Sequence, residues 1–304
     1  MTPRAAAAGT VSVEMLSPDD TRVGQLLPLG EQEPGWIRLV RVPAGVLLDE
    51  PVRVEVPETE RSRLLVVAER GSKATVVDVS EHAGAHDVEV LVEDEASLEF
   101  VSLRMSDSVS MLRQSARLEN GASIAWRNIS VGGQTKHDLR SACVGRDATS
   151  TVDWIFFARG SEKQELTVRN VFDGANGGGE ITMKGVAEEK GLVSCEGMIE
   201  IGLGGGGTNT YLTQDVLMLD PTAKVDAVPG LEIKTNDVKA SHSATVSRVT
   251  VEDLFYFAAR GIPAREARAM YVRGFLSDLL QRISDEDTRN LVQAAIDAKI
   301  QAST

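Results

Sequence analysis

His242 is the side chain in this sequence best suited to hold a metal. It stands in Asn236-Asp237-Val238-Lys239-Ala240-Ser241-His242-Ser243-Ala244-Thr245, where a titratable imidazole lies just ahead of a change in hydrophobic period. Asp215, Asp226 and Glu232 precede it, so hard or borderline metal ligands can be brought near it. Cys195 adds a soft thiolate but has no CxxC partner, and a buried inert thiol is its alternative reading. A hydrogen-bonded structural histidine is the competing reading for His242 itself.

The other histidines are weaker candidates. His82 and His86 are four apart and would share a helix face, but Gly84 between them argues for a loop or strand. His137 lies in the polar run Gly132-Gly133-Gln134-Thr135-Lys136-His137-Asp138 and is expected at the surface of a loop. Gly202-Leu203-Gly204-Gly205-Gly206-Gly207 offers backbone N–H groups to a phosphate, yet no helical pattern follows it, and a flexible loop leaving the body of the fold is expected. There is no Gly-x-x-x-x-Gly-Lys-Ser/Thr phosphate loop, no Gly-x-Ser-x-Gly elbow and no His-Glu-x-x-His, so neither nucleotide hydrolysis nor those hydrolase chemistries are expected.

The elements that must position these residues come in two kinds. A small residue before a β-prone run recurs at Ser72, Ala96, Ala122 and Ala148, at spacings of 24, 26 and 26; Ala175 continues the series at 27 and Ala223 follows 48 later. Apolar runs at 64–67, 75–79, 88–92, 98–103, 124–129 and 151–157 read as short strands, and no helical pattern separates them. A constant period with two or three short strands per repeat fits a parallel β-helix, whose coils stack on a shared apolar column. Small residues at the repeated position would then sit at corners. An antiparallel sandwich with evenly spaced turns is the alternative. Residues 1–60, broken by prolines, are expected to form an irregular lead-in that caps the first coil, and 61–246 the coils themselves.

From residue 247 the chain is expected to be a helical domain. Thr250-Val251-Glu252-Asp253 is a capping box, Gly261 a stop and Pro263 the opening of a second helix with Ala267, Met270, Tyr271, Phe275, Leu279 and Ile283 on one face. Ser284-Asp285-Glu286-Asp287 caps a last helix. Their apolar faces either pack on the solenoid end or bind a partner.

The 304 residues carry 45 acidic and 32 basic side chains, a formal charge of −13, which disfavours nucleic acid and anionic membrane as partners. No long apolar run predicts a transmembrane helix, the N-terminus lacks the pattern of a secretory signal, and two cysteines form no disulfide framework, so a cytoplasmic protein is expected.

Several of these segments carry a family resemblance. Asp237-Val238-Lys239-Ala240-Ser241-His242-Ser243-Ala244-Thr245 resembles the Asp-Val-Lys-Cys-Ser-His-Gly-Ala-Thr stretch of the SufD branch of the SufB/SufD family. Leu254-Phe255-Tyr256-Phe257-Ala258-Ala259-Arg260-Gly261-Ile262 is similar to its Leu-Phe-Tyr-x-x-x-Arg-Gly-Ile, Pro229-Gly230-Leu231-Glu232-Ile233 to its Pro-x-Leu-Glu-Ile, and Glu266-Ala267-Arg268 and Gly274-Phe275 follow at the family's spacing. The likeness spans about residues 165 to 283.

The resemblance implies an iron–sulfur cluster assembly scaffold: a mainly β protein, a right-handed parallel β-helix with a C-terminal α-helical domain. It implies a SufC-like ABC ATPase as partner, bound through Leu254, Phe255, Phe257, Arg260, Ile262, Tyr271 and Phe275. It also implies pairing with a second copy or a SufB/SufD paralogue through the last coils, and a transient iron–sulfur cluster formed near that seam, with no nucleotide bound by this chain. It looks like a compact, archaeal-type or minimal version. Two departures stand out. Asp215 follows Thr213-Gln214 where the SufB branch has Cys, and Ala240 replaces the Cys of the SufD-type segment. The candidate ligands are therefore His242 and Asp215, with Cys195 and Glu232 in support. The rival functions are a β-helix carbohydrate-active enzyme and a metal-free structural regulator of an ABC-type ATPase.

Overall fold

The computed structural model describes residues 11–16, 37–55, 61–79, 84–105 and 107–302. In chain order the first strands are β1 (Ser12–Leu16), β2 (Ile37–Val42), β3 (Val52–Val54), β4 (Arg61–Ala68), β5 (Lys73–Asp78), β6 (Gly84–Val92), β7 (Ser97–Arg104) and β8 (Val109–Leu118). They continue as β9 (Ser123–Val131), β10 (Gln134–Cys143), β11 (Thr149–Arg159), β12 (Lys163–Phe172), β13 (Gly178–Glu188), β14 (Leu192–Ile201), β15 (Asn209–Met218), β16 (Lys224–Ile233) and β17 (Lys239–Arg248). Helices α1 (Val251–Ala258), α2 (Ala264–Leu280) and α3 (Glu286–Gln301) follow.

The chain alternates between two sheets. The first has the order β1-β2-β4-β6-β8-β10-β12-β14-β16, the second β17-β15-β13-β11-β9-β7-β5-β3. Each strand from β2 to β15 pairs in parallel with the strand two places on, whereas β1 lies antiparallel along β2. This is a parallel β-solenoid of about seven turns, with two strands per coil. The solenoid begins upstream of residue 61, since β2 and β3 already belong to the two sheets.

The two sheets differ in composition for a physical reason. Strands of the first alternate, as in β8, where Leu112, Gln114, Ala116 and Leu118 are buried and Met111, Arg113, Ser115 and Arg117 exposed; one face meets the lumen and the other water. Central strands of the second sheet are apolar on both sides, as in Trp154 to Ala158 of β11, because α2 and α3 cover its outer face. The lumen holds the large aromatics Phe100, Trp126, Trp154, Phe156 and Phe172, all fully buried. At roughly 25 cal/mol per Å² of apolar area removed from water, this column is the main source of stability.

The corner expectation holds, with a changed membership. Ser72, Ala96, Ala122 and Ala148 are buried immediately before strands of the second sheet, but the next equivalents are Gly177 and Thr208, and Ala175 sits two residues early. A Cβ on Gly177 would lie 2.5 Å from the Phe172 ring, so nothing larger than glycine fits that corner. Ala223 falls at a corner of the other sheet. The repeat also lengthens: successive register offsets in the second sheet are 24, 26, 26, 29, 31 and 30. The strands are mostly longer than the apolar runs, because paired polar residues extend them beyond the apolar stretch. The Gly202 to Gly207 segment does not leave the fold. Gly202 N bonds Phe172 O and Gly207 N bonds Asp237 O, so it is a corner tied to the coils on both sides.

The helices pack on the flank of the solenoid, not its end. Val272, Leu276, Leu279, Val292 and Ile296 meet Val101, Ile129, Ile155, Phe157 and Val186 of the second sheet. The buried stripe of α2 is rotated from the expected one: Ala269, Val272 and Leu276 go inward, Met270 is exposed, and Tyr271 and Phe275 are half-buried. Ion pairs pin the α2–α3 turn, from Arg282 to Asp153 (2.7 Å) and from Arg53 to Asp285 (2.5 Å). Lys184 holds Asp278 of α2 at 2.9 Å.

The capping box of α1 forms as expected. Thr250 Oγ1 accepts from Asp253 N at 3.2 Å, and Asp253 Oδ2 accepts from Thr250 N at 2.9 Å. Thr250→Ala should therefore speed amide exchange in α1 severalfold while leaving α2 and α3 unchanged, because an eight-residue helix depends on its cap. Equal exchange in the variant would show that contacts with α2 alone hold α1.

Candidate functional site

The solenoid ends on an open coil. Among the described residues β16 pairs only with β14 and β17 only with β15, so each leaves a row of backbone N–H and C=O groups at its outer edge. In-register parallel neighbours point to the same side of a sheet. His242 is the partner of Leu212, which is buried in the lumen; His242 therefore lies on the luminal side of β17, exposed because no further coil covers it. Val246 shares that side of β17 and is 47% exposed. On β16, Ile233 continues the line of buried Ile201 and is also exposed.

The four candidate ligands divide by side of the sheet. Cys195 is in β14 on the luminal side, fully buried, and burial pushes its thiol up to about 12. That thiol is protonated at neutral pH and out of reach of a cluster at the surface. Asp215 alternates with buried Gln214 and Val216, so it faces outward from the second sheet, half-buried between register partners Lys184 and Thr245. Glu232 faces outward from the first sheet, where its ion pair with Lys234 at 2.9 Å holds its carboxyl below the ordinary range. Among the described residues no three His, Cys, Asp or Glu side chains converge into a metal-holding group. The open luminal end brings His242 forward alone within one chain.

Of the other histidines, His86 lies in a strand, one of the two places expected for it, and His137 does not lie where expected. His82 lies outside the described residues. His86 is a buried strand residue, with Nδ1 2.7 Å from Ser62 Oγ and Nε2 3.1 Å from Asp78 Oδ2. His137 is a correction: it is 1% exposed, in β10 rather than in a loop. Thr135, His137 and Leu139 alternate inward, and the ring packs edge-on against Trp154 at 4.3 Å. Burial, with Arg104 nearby, holds its imidazole well below the ordinary histidine range, so it is neutral at pH 7. Strict alternation from Gln134 onward was the signal in the sequence, obscured by the two glycines and the charged residues.

Helix α1 presents the second feature. None of its residues is buried. Val251 and Phe255, one turn apart, are 80% and 71% exposed, and Tyr256 beside them is 57% exposed. Leu254 and Phe257 turn the other way: Leu254 packs against the flank cluster, and the Phe257 ring meets Tyr271 at 5.6 Å. Arg260 stacks on Tyr256, its guanidinium carbon 3.6 Å from the ring centre. Ile262 is half-buried, and Phe275 lies under Lys184 at 5.5 Å. Of the seven residues expected to bind a partner, then, Phe255 and Arg260 are open, and the other five are half-buried. Val251 and Tyr256 belong to the open surface and were missed; i, i+4 spacing from the cap was the signal. Among the described residues no tryptophan is open to a sugar, since Trp126 and Trp154 are fully buried; Trp36 lies outside the described residues.

Comparison with known proteins bears on this geometry. The profile of the family described as SUF system FeS cluster assembly, SufBD core domain, matches residues 54–275. An iron–sulfur cluster assembly SufBD family protein of Mycobacterium leprae is 28% identical over 262 residues, which cover 81% of this chain and 30% of that protein. The iron–sulfur cluster assembly protein SufD of Bacillus subtilis is 27% identical over 275 residues, 85% of this chain and 63% of its own. A SufBD family protein of Staphylococcus epidermidis is 23% identical over 262 residues, 81% and 56%. The chain spans less than two thirds of the length of each of these relatives.

Proposed function

The chain belongs to the SufBD family of SUF-system iron–sulfur cluster assembly proteins, and from that membership we propose that it is a non-catalytic scaffold subunit on which a nascent cluster is built as cargo. The observation that carries this reading is the pairing of two unsatisfied surfaces at one end of the chain. The last coil offers two open strand edges with His242 on their luminal side, and α1, whose Val251, Phe255 and Tyr256 are exposed, starts three residues after β17 ends.

A second copy, or a SufB/SufD paralogue, closes the open coil and so supplies the donors that one chain lacks. With a second copy, two His242 imidazoles then approach one seam, and Asp215 and Glu232 are the carboxylate candidates on the outer sides. Cys195 joins only if the coil opens, because its thiol is buried. A SufC-like ABC ATPase docks on α1 and hydrolyses the nucleotide, as this chain carries no phosphate loop of its own. Nucleotide-driven approach of two such ATPases pulls on α1. Since α2 and α3 are bolted to the second sheet, the displacement reaches β15 and β17 and changes the spacing at the seam. The working division is a coil body that already includes β2 and β3 and runs to about residue 246, and a helical handle (247–304), in a cytoplasmic setting.

The test is anaerobic reconstitution of the assembly with iron and sulfide, read by absorption and bound iron. His242→Ala should lose most of the iron while keeping its elution volume and capture of the ATPase. Undiminished iron in that variant removes His242 as a ligand, and absence of iron from the unaltered assembly favours a metal-free regulator.

A further inference from the structure

Lys184 of β13 stands between two carboxylates and is bonded to one of them. Its ammonium lies 2.9 Å from Asp278 Oδ2 of α2 and 5.5 Å from the centre of the Phe275 ring on the same helix. On the sheet its register partners are Ile155 of β11 and Asp215 of β15. Register partners on parallel strands lie about 4.8 Å apart and point to the same side. Lys184 and Asp215 are therefore neighbours on the outer face of the second sheet.

The other acids of that face are already engaged. Asp153, one strand from Lys184, is held by Arg127 and by Arg282 at 2.7 Å. Glu188, further along β13, pairs with Arg159 at 3.5 Å. Among the described residues Asp215 takes part in no ion pair.

The bond that Lys184 does make depends on the helix. Asp278 is 48% exposed and reaches Lys184 only while α2 keeps its seat on the sheet, whereas the Lys184 side chain is 18% exposed and belongs to the sheet itself. An ammonium with so little access to water is costly to leave unpaired. Packed helices slide or roll by about 1–2 Å when they move, enough to break a contact of this length. The flexible four-carbon stem of a lysine then lets the charge find another partner, and Asp215 is the uncompensated carboxylate within one strand of it.

We propose that Lys184 exchanges between Asp278 and Asp215, and that this exchange decides whether the Asp215 carboxylate is open to iron. The role of Asp215 rests on the scaffold reading above; the exchange rests on the placement of the three side chains. With α2 seated, Asp278 holds the ammonium and Asp215 is free to act as a ligand. With α2 displaced, Lys184 turns to Asp215, whose oxygens accept hydrogen bonds from the ammonium in place of iron. A pull on α1 thus loosens the hold on the cargo. Lys184 touches no cargo and is a positioning residue, acting through Asp215.

A crystal structure of the full chain carrying Asp278→Ala tests the exchange. Asp278 is an exposed helix residue and alanine suits a helix, so the fold is kept. Lys184 Nζ should lie about 3 Å from an Asp215 carboxylate oxygen in that variant. The apparent iron affinity of the reconstituted assembly, measured by competition with a chelator under nitrogen, tests the consequence. Asp278→Ala should lose about fivefold or more, the low end of coupling between linked sites. Asp278→Ala/Lys184→Met should regain it, a rescue that a merely structural tie between α2 and the sheet would not give. Lys184 still turned away from Asp215 in the structure of the variant, native affinity in Asp278→Ala, or no recovery in the double variant would each overturn the proposal. An unaltered assembly that binds no iron would instead remove the scaffold reading and the gating of iron with it, and the structure of the variant then decides the exchange by itself.

Discussion

Phe255→Asp should weaken capture of the proposed ABC ATPase partner at least about thirtyfold while the protein melts where the native one does. The ring is 71% exposed on a helix with no buried residue, so its removal leaves no cavity. If the partner seats on α1, Phe255 is the large aromatic at the centre of that surface, with Val251 one turn before it and the Tyr256–Arg260 stack beside it. Central aromatics of this kind contribute 2 kcal/mol or more, so affinity should fall about thirtyfold or beyond, with a buried carboxylate adding its own desolvation cost. Co-purification and titration calorimetry read the effect. The control is Leu254→Ala, which removes packing from behind the helix and should lower affinity less while loosening α1. Native affinity in Phe255→Asp would place the ATPase elsewhere on the chain.

The largest expected effect on the fold is in the lumen. Asp78 is 0% exposed and accepts hydrogen bonds from Arg104 Nη2 at 2.8 Å and from His86 Nε2 at 3.1 Å, while His86 reaches Ser62 through its other nitrogen. These four side chains come from four strands, so the group ties β4, β5, β6 and β7 together across the two sheets. Asp78→Ala strands a guanidinium that is 6% exposed with no counter-charge at that position, a loss of about 3–5 kcal/mol. Thermal unfolding should begin on the order of 10 °C lower. Asp78→Asn should lose less, since one acceptor survives. An outward carboxylate such as Glu232, removed in the same way, should leave the melting curve nearly unchanged. Equal melting of Asp78→Ala and the native chain would mean that other lumen groups neutralise Arg104.

Much of the coil architecture was readable locally. Strands β5, β7, β9 and β11 of the second sheet announced themselves as apolar runs, because both of their faces are largely covered. Strands β8, β10 and β12 did not, because their outward residues are charged and their inward ones include Gln114, His137, Gln164 and Asn170. Their signal was alternation with period two, and a search for apolar runs passes over it. The same cause misplaced His137, whose polar neighbours in sequence point to water while it points inward. The glycine-rich corner misled in the opposite sense: its glycines are there because coils approach closely, as at Gly204, where a Cβ would lie 2.3 Å from Asp173 O.

The candidate site was legible as a set of residue types and no further. The residues by themselves determined a repeating parallel architecture, its small corner side chains, the capped helix at Thr250 and the family to which the chain belongs, since all of these rest on local spacing. Only the tertiary structure decided which side of a sheet each candidate takes. Register carries His242 and Cys195 to the lumen and Asp215 and Glu232 outward, and the stacking of coils buries Cys195 while leaving the histidine open. Side-chain direction in a solenoid depends on pairing between residues some 24 to 32 positions apart, and no local pattern encodes that.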